Sequence, residues 1–277
     1  MPARLLHLSD LHAGTVEQPE VEGALGALID RVDPELIVAS GDLTHRGRPG
    51  EHDRAAWFLK RLGRPLVVVP GNHDIPWAFP ARFTHPFREF ERHWQTTEPV
   101  HRSEGLFVVG LNSVRPWRHQ SGGVGSGQLQ RAAELLAVAP EGALRVVVLH
   151  HHLIGAPWRS RKKPVARRGH VLAALVDAGA ELILAGHIHQ AAVSERHEFE
   201  VVGTQDGRHG ATVSIAPGLG QPRPNRRGEA RGLHVYEADE RQLNVETYVW
   251  RENEWGLTGL RRFPRGDEPL EIEPTSP

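Results

Sequence analysis

Five short polar segments hold the residue types that bind metal ions or move protons, and each stands at or just behind the end of an apolar run. They are Asp10-Leu11-His12, Gly41-Asp42, Gly71-Asn72-His73-Asp74, His150-His151-His152 and Gly186-His187-Ile188-His189. Asp10 and His12 are two residues apart, so in extended chain they face the same way and can ligate one ion. Asp42 follows a glycine that permits an unusual turn and a close metal approach, and a carboxylate has lone pairs enough to bridge two ions. Asn72 offers a neutral oxygen that leaves the charge of a metal uncancelled. Its neighbour His73 can then reach substrate: a protonated imidazole stabilises a phosphoryl oxygen or delivers a proton to a leaving oxygen. Asp74 can orient that ring or offset its charge. In the histidine triplet, His150 is the first polar residue after the apolar run and is the favoured ligand. His151 takes its place if the register moves by one, and His152 is then a wall residue or exposed. His187 and His189 repeat the two-residue spacing, with one histidine on each of two ions or both toward one cavity. Taken singly, each segment also reads as a polar turn or a satisfied buried histidine; five in this order, each at a strand end, point to one site.

Such a site needs strands to deliver it. Continuous Val, Leu and Ile runs at residues 4–9, 36–39, 66–69, 106–111, 146–149 and 182–185 read as strands covered on both faces. Helical spacing of apolar residues fills the intervals, with helices expected near 19–32, 51–62, 83–94, 126–136 and 169–178, Ser126 capping the fourth. Beyond Gln190 the pattern changes to short strands at 199–202, 211–215, 232–236 and 245–250. The fold class expected is α/β, a sandwich of two mixed β-sheets flanked by helices. One domain spans 1–265, followed by a frayed Pro- and Glu-rich tail at 266–277. In open α/β sheets sites form beyond the carboxyl ends of strands, where successive loops converge.

Composition narrows the chemistry. The 277 residues are ample for a buried core, and cysteine is absent, which removes disulfides, thiolate catalysis and zinc–sulfur sites. Metal ligands must therefore be His, Asp, Glu and Asn, a set suited to manganese, iron or zinc. The net charge of −1 gives no global field toward nucleic acid or membrane. No apolar run approaches the roughly 20 residues of a membrane span, and the first residues lack the apolar stretch and cleavage site of a signal peptide. A cytoplasmic protein is the expectation.

The motif set Asp10-x-His12, Gly41-Asp42, Gly71-Asn72-His73-Asp74, His150 and Gly186-His187-x-His189 resembles that of the calcineurin-like metallophosphoesterases, most closely their class III cyclic nucleotide phosphodiesterase branch. The resemblance runs from Leu5 to about His189. It implies a four-layer αββα sandwich and two divalent or mixed-valence ions per chain (Mn²⁺, Fe²⁺/Fe³⁺ or Zn²⁺). It further implies that Asp10, His12, Asp42 and His189 hold one ion, that Asp42 bridges, that Asn72, His150 and His187 complete the second, and that His73 is the catalytic histidine. Where the family commonly has a proline two residues after the strand-end histidine, this chain has His152.

Only Asp10 and Asp42 among these ligands are carboxylates, so two ions leave the cavity positive and attractive to phosphate. Metals ~3.5–4 Å apart clamp phosphoryl oxygens and bring a bridging water toward a pKa of ~7. The expected reaction is hydrolysis of a phosphodiester by attack of that hydroxide, with a small phosphorylated substrate such as a cyclic nucleotide. A repair-type nuclease, a phosphomonoesterase and a non-catalytic scaffold are the competing readings. Near-neutral charge disfavours nucleic acid, and the retained ligands disfavour the scaffold. Two basic stretches, 159–168 and 223–231, can close over a phosphate or remain solvated loops. Trp77, Trp117 and Trp158 can stack on a base or plug the core. The strand-rich end can close the second sheet or form a homodimer surface.

Overall fold

The computed structural model describes residues 2–15, 19–154, 162–188, 199–203, 210–220 and 231–265. The expected tail at 266–277 lies outside them. The chain alternates strand and helix: β1 (Ala3–Leu8), α1 (Pro19–Val32), β2 (Leu36–Ala39), α2 (Pro49–Arg61) and β3 (Leu66–Val68) come first. Next are α3 (Ala81–Thr84), α4 (Arg88–Trp94), β4 (Val100–Arg102), β5 (Leu106–Gly110), α5 (Ser126–Leu136), β6 (Leu144–Val148), α6 (Arg168–Asp177) and β7 (Leu182–Ala185). Among the described residues only strands follow: β8 (Phe199–Gly203), β9 (Gly210–Ile215), β10 (Gly232–Ala238), β11 (Gln242–Arg251) and β12 (Glu254–Pro264).

The strands form two mixed six-stranded sheets, ordered β12-β11-β10-β1-β2-β3 and β4-β5-β6-β7-β9-β8. The expected sandwich is therefore present, and the late strands split between its halves. β1, β2 and β3 run parallel, as do β5, β6, β7 and β9, so each sheet sends its motif-bearing ends one way.

Strand periodicity sorts the core into three layers, because alternate side chains leave opposite faces of a sheet. Leu5, Val38, Val67, Val108, Val146 and Leu184 pack between the sheets. Leu6, Leu8, Ile37 and Val68 face outward against Leu25 and Ile29 of α1 and Leu59 of α2. Phe107, Val109, Val147 and Ile183 do the same against Leu136 of α5 and Leu175 of α6.

Three expectations change. The single helix near 83–94 is two, α3 and α4, broken at His85-Pro86. The proline ring excludes helical geometry at the residue before it, and His85 takes φ −142° and ψ 60°. Gly125, not Ser126, is the N-cap of α5, and its N–H donates to Gln128 Oε1 at 2.9 Å. β4 and β12 were not anticipated. β12 is one arm of a hairpin with β11, turned at Glu252 and Asn253 with φ of 52° and 63°. Two left-handed residues match the twist of paired strands, but without the usual glycine the turn leaves little trace in sequence. Among the described residues no helix is long and apolar enough to cross a membrane.

The inter-sheet layer also contains polar groups. His7 Nε2 is 2.8 Å from Ser40 Oγ, and the Tyr236 hydroxyl bonds Ser214 Oγ at 2.6 Å and lies 3.5 Å from His7 Nδ1. Burial pushes the His7 ring down to about 3, against the opposing pull of Asp10. His7 is thus neutral in the fold but protonates below about 6.5 in the unfolded chain. Its contribution to stability is complete above that pH and is lost as pH falls toward about 3. In the presence of a chelator, urea unfolding from pH 7 to 5 should show stability falling, and His7→Gln should flatten the slope by up to about 1.4 kcal/mol per pH unit. Equal slopes in the two proteins would refute this. Leu184→Ala should cost about 2–5 kcal/mol in the same assay, since it opens a cavity in the layer that joins the sheets; a loss under about 1 kcal/mol would contradict close packing there.

Candidate metal centre

The loops behind β1, β2, β3, β6 and β7 meet at one edge of the sandwich. Backbone hydrogen bonds lace them together: Asp10 N–H donates to Gly41 O (2.9 Å), His12 N–H to Asp42 O (3.0 Å) and Gly186 N–H to His150 O (3.0 Å). Asp10, His12, Asp42 and His187 adopt φ of 53°, 49°, 49° and 75°, the left-handed region that side chains disfavour. Such conformations cost of order 1–3 kcal/mol each and persist where surrounding bonds impose them. Two glycines allow the crowding. A Cβ on Gly41, whose φ is 91°, would lie 2.6 Å from Gly71 N and 2.8 Å from His150 Nδ1. A Cβ on Gly186 would lie 1.8 Å from Ser9 Oγ and 2.7 Å from Asp10 Oδ2.

The side chains fall into two groups with one member in common. Ligand atoms of Asp10, His12 and Asp42 lie within 4.8 Å of one another, as do those of Asp42, His150 and His187. His12 Nε2 is 3.8 Å from Asp10 Oδ1 and 3.9 Å from Asp42 Oδ2, while His150 Nε2 is 3.3 Å from Asp42 Oδ1. All five residues are buried. Asp10 Oδ2 accepts from Ser9 Oγ–H (2.6 Å) and His187 N–H (2.9 Å), which aims the rest of the carboxylate at His12. Asp42 Oδ1 accepts from His73 N–H at 2.8 Å, and its buried Oδ2 has no hydrogen-bond partner among the described residues. The same holds for Asn72 Oδ1, between two residues that touch Asp42.

Carbonyl oxygens only accept, so they settle the histidine tautomers. His150 Nδ1–H donates to Ser40 O (2.8 Å), and His187 Nε2–H donates to Gln120 O (3.1 Å). The remaining nitrogens, His150 Nε2 and His187 Nδ1, face each other at 3.1 Å. Two lone pairs at that distance repel, so the pair needs a positive centre, either a proton or a metal ion. Burial opposes charge on His150, but the Asp42 carboxylate outweighs it and pushes the ring up to about 9. Burial likewise works against Asp42, yet His150, with His73 and His12 behind it, holds that carboxyl well below the usual range. Burial holds His187 well below the ordinary histidine value. Buried oxygens lacking donors, lone pairs turned inward and a carboxylate common to both groups form a donor set that fits two divalent cations.

The structure thus gathers Asp10, His12, Asp42, His150 and His187, with Asn72 and His73 on the adjoining loop. His189 lies outside the described residues, as do Trp158 and residues 159–161 and 223–230 of the basic stretches. His151 belongs to neither ligand group; its Nδ1 is 2.8 Å from Ser113 Oγ. His152 is fully buried. Asp74 does not orient His73. Its Oδ1 accepts from Thr44 N–H (2.8 Å) and its Oδ2 from Gly71 N–H (2.8 Å), pinning the β2 and β3 loops together. Burial and the neighbouring Asp42 charge push the Asp74 carboxyl up. His73 is held instead by the backbone, its Nδ1–H donating to His45 O at 2.7 Å. Trp77 and Trp117 are each 67% exposed, so neither plugs the core.

One histidine was missed. His45 groups with His12 and His73 within the same 4.8 Å limit and lines a cavity of about 830 Å³ beside His73. Its only sequence signal was its place three residues after Asp42, too weak to separate it from the other histidines of this chain.

The calcineurin-like phosphoesterase family model matches residues 3–191, most of the chain and all five motifs. The chain belongs to this family. It is 26% identical over 212 residues to a probable cyclic nucleotide phosphodiesterase of Synechococcus sp., covering 71% of this chain and 77% of that one. It is also 26% identical over 215 residues to the 3′,5′-cyclic adenosine monophosphate phosphodiesterase CpdA of Haemophilus influenzae, covering 73% and 75%. Among solved structures, a purple acid phosphatase from yellow lupin seeds superposes with a TM-score of 0.64 at 13% identity. That match covers all of this chain and 57% of the lupin protein's length. GAP50, the anchor in the inner membrane complex of Plasmodium, gives 0.61 at 13% identity, covering 98% and 90%. At such identities the structural likeness is one of fold. In this calcineurin-like phosphoesterase, Gly186→Ala should lower thermal stability by about 1–3 kcal/mol and reduce bound metal measured by elemental analysis, since the added methyl displaces Ser9 and Asp10. Unchanged stability and loading would show that the close approach is unimportant.

Proposed function

We infer that this phosphoesterase is a two-metal phosphodiesterase acting on small nucleotide-like substrates, with cyclic nucleotides the first to test. The observation that carries this is the sharing of Asp42 between two buried ligand groups, with His73 beside them opening onto a cavity. The names of the Synechococcus and Haemophilus relatives support the substrate class. Asp10, His12 and Asp42 would hold one ion; Asp42, Asn72, His150 and His187 would hold the other. His189 is assigned to the first ion by the family motif. Manganese, iron and zinc suit these nitrogen and oxygen donors. A pair of divalent ions supplies charge for phosphoryl oxygens and acidifies water toward neutrality.

The chain's own residues do the rest. Ser40 and Gln120 carbonyls keep the His150 and His187 lone pairs turned inward. The His45 carbonyl fixes the His73 tautomer and leaves Nε2 for substrate. Protonated there, His73 can hold a phosphoryl oxygen and pass its proton to the leaving oxygen, a role typically worth about 10²–10⁴ in rate.

Protein loaded with Mn²⁺, Fe²⁺ or Zn²⁺ should hydrolyse bis(p-nitrophenyl) phosphate and cyclic AMP faster than p-nitrophenyl phosphate or single-stranded DNA. No turnover with any of the three metals would remove the enzyme reading, and a preference for the monoester or for DNA would move it to phosphatase or nuclease. His73→Ala should keep its metal while losing roughly 10²-fold or more in kcat; full activity on every substrate would exclude the proton-transfer role. Asp42→Ala should bind far less metal than wild type, because both groups lose their common ligand. Equal loading would refute the bridging role.

A further inference from the structure

The cavity beside His73 has a charge that a single phosphodiester does not use. Its walls include His45, Arg46, Arg48, Trp77, Arg88 and Glu89. Arg46, Arg48 and Arg88 are exposed and form no ion pair among the described residues. The lining carboxylate, Glu89, lies 3.4 Å from Arg92 on its own helix. The other carboxylate nearby, Glu51, accepts the backbone N–H groups of Arg46 (2.7 Å) and Arg48 (3.3 Å). Three arginines therefore line the cavity against one lining carboxylate, Glu89, with Glu51 bonded to the backbone of the segment that carries two of them. Trp77, 67% exposed and 6.2 Å from the His119 ring, adds an aromatic face of the kind on which bases stack.

Position decides which part of a substrate enters. His73 joins the two regions: its ring is 4.9 Å from that of His12, and it lines the cavity, which none of Asp10, His12, Asp42, His150 and His187 does. In-line displacement breaks the P–O bond to the leaving group on the side opposite the incoming water oxygen, which forms the new P–O bond. With His73 as the proton donor of the reading above, the leaving oxygen would depart toward the cavity that Arg46, Arg48 and Arg88 line. A cyclic mononucleotide has one phosphate, which the metal groups engage, and leaves nothing anionic for these residues.

We propose that this cavity selects phosphodiesters whose leaving group is a nucleoside bearing a second phosphate, with the base against Trp77 and the terminal phosphate against Arg46, Arg48 and Arg88. Guanidinium–phosphate contacts are charge-assisted, and arginine matches phosphate geometry in a way lysine does not. The proposal rests on the phosphodiesterase reading and narrows its substrate class.

Two measurements keep the readings apart. Metal-loaded protein is given adenylyl-adenosine, the same dinucleotide with a terminal 5′-phosphate, and the one with a terminal 3′-phosphate, with bis(p-nitrophenyl) phosphate alongside. At least one phosphorylated form should exceed the unphosphorylated one in kcat/KM by about tenfold or more, the size expected of a charged hydrogen bond. Arg46→Gln/Arg88→Gln should bring that ratio close to one. A ratio near one in wild type, or one unchanged in the variant, overturns the proposal. The second measurement is calorimetry of the full chain in chelator with adenosine 5′-monophosphate, adenosine 3′-monophosphate and adenosine. At least one nucleotide should bind about tenfold more tightly than adenosine or better, the gap should close in the double variant, and Trp77→Ala should weaken nucleotide and nucleoside alike. Equal affinities in wild type overturn the pocket even if bis(p-nitrophenyl) phosphate is hydrolysed. If that diester is not hydrolysed, the phosphodiesterase reading fails, and the calorimetry alone decides whether the cavity binds a phosphorylated nucleoside.

Discussion

The site depends on the docking of one sheet against the other. Asp10, His12 and Asp42 come from the first sheet, His150 and His187 from the second, and the group of Asp42, His150 and His187 forms only where the two meet. Hydrogen bonds cross the seam at the site itself, among them His150 Nδ1–H to Ser40 O and His187 N–H to Asp10 Oδ2. Below them the layer of Leu5, Val38, Val146 and Leu184 sets how far apart the candidate ligands of the two sheets stand. Because protein interiors are close-packed and resist small changes in volume, that spacing is held tightly without a covalent link.

The seam imposes an electrostatic cost that the site turns to use. Two buried carboxylates and a set of inward-turned nitrogens cannot all be satisfied by one another, and the facing nitrogens of His150 and His187 at 3.1 Å show where a positive centre is needed. Asp42 sits at the junction, drawn below the usual carboxylate range by the histidines around it. The left-handed backbone at Asp10, His12, Asp42 and His187 belongs to the same arrangement. Strained turns bring short side chains close together, and laced backbone hydrogen bonds hold them there. Asp74 and Gly186, neither of them a donor to the site, have their place through this crowding.

Most of the scaffold could be read from the chain. Apolar runs gave the strands that bear the motifs, and the two-residue and strand-end spacings gave the ligand candidates, because a buried strand needs nothing but its own residues to reveal it. Elements that depend on partners were harder to see. β4 has only three residues and exists by pairing with β5, and β12 exists by pairing with β11 across a turn lacking glycine. His45 and the arginines around it carry no pattern, since a cavity lining is assembled from separate loops and leaves no periodicity. Asp74 was misjudged for a similar reason: its neighbour in sequence is His73, but its partners are Thr44 and Gly71.

By itself, the sequence determined which chemistry was available: no thiols, many imidazoles, and two candidate ligand carboxylates and an amide at strand ends, in an order shared with one family. Only the tertiary structure decided how those groups divide. It made Asp42 common to both clusters, turned His150 inward and His151 toward Ser113, and gave His73 its tautomer through the carbonyl of a residue 28 positions away. The reason is physical: a residue's type is a local property, but the direction of its lone pairs is set by hydrogen bonds to segments that come near only when both sheets are in place.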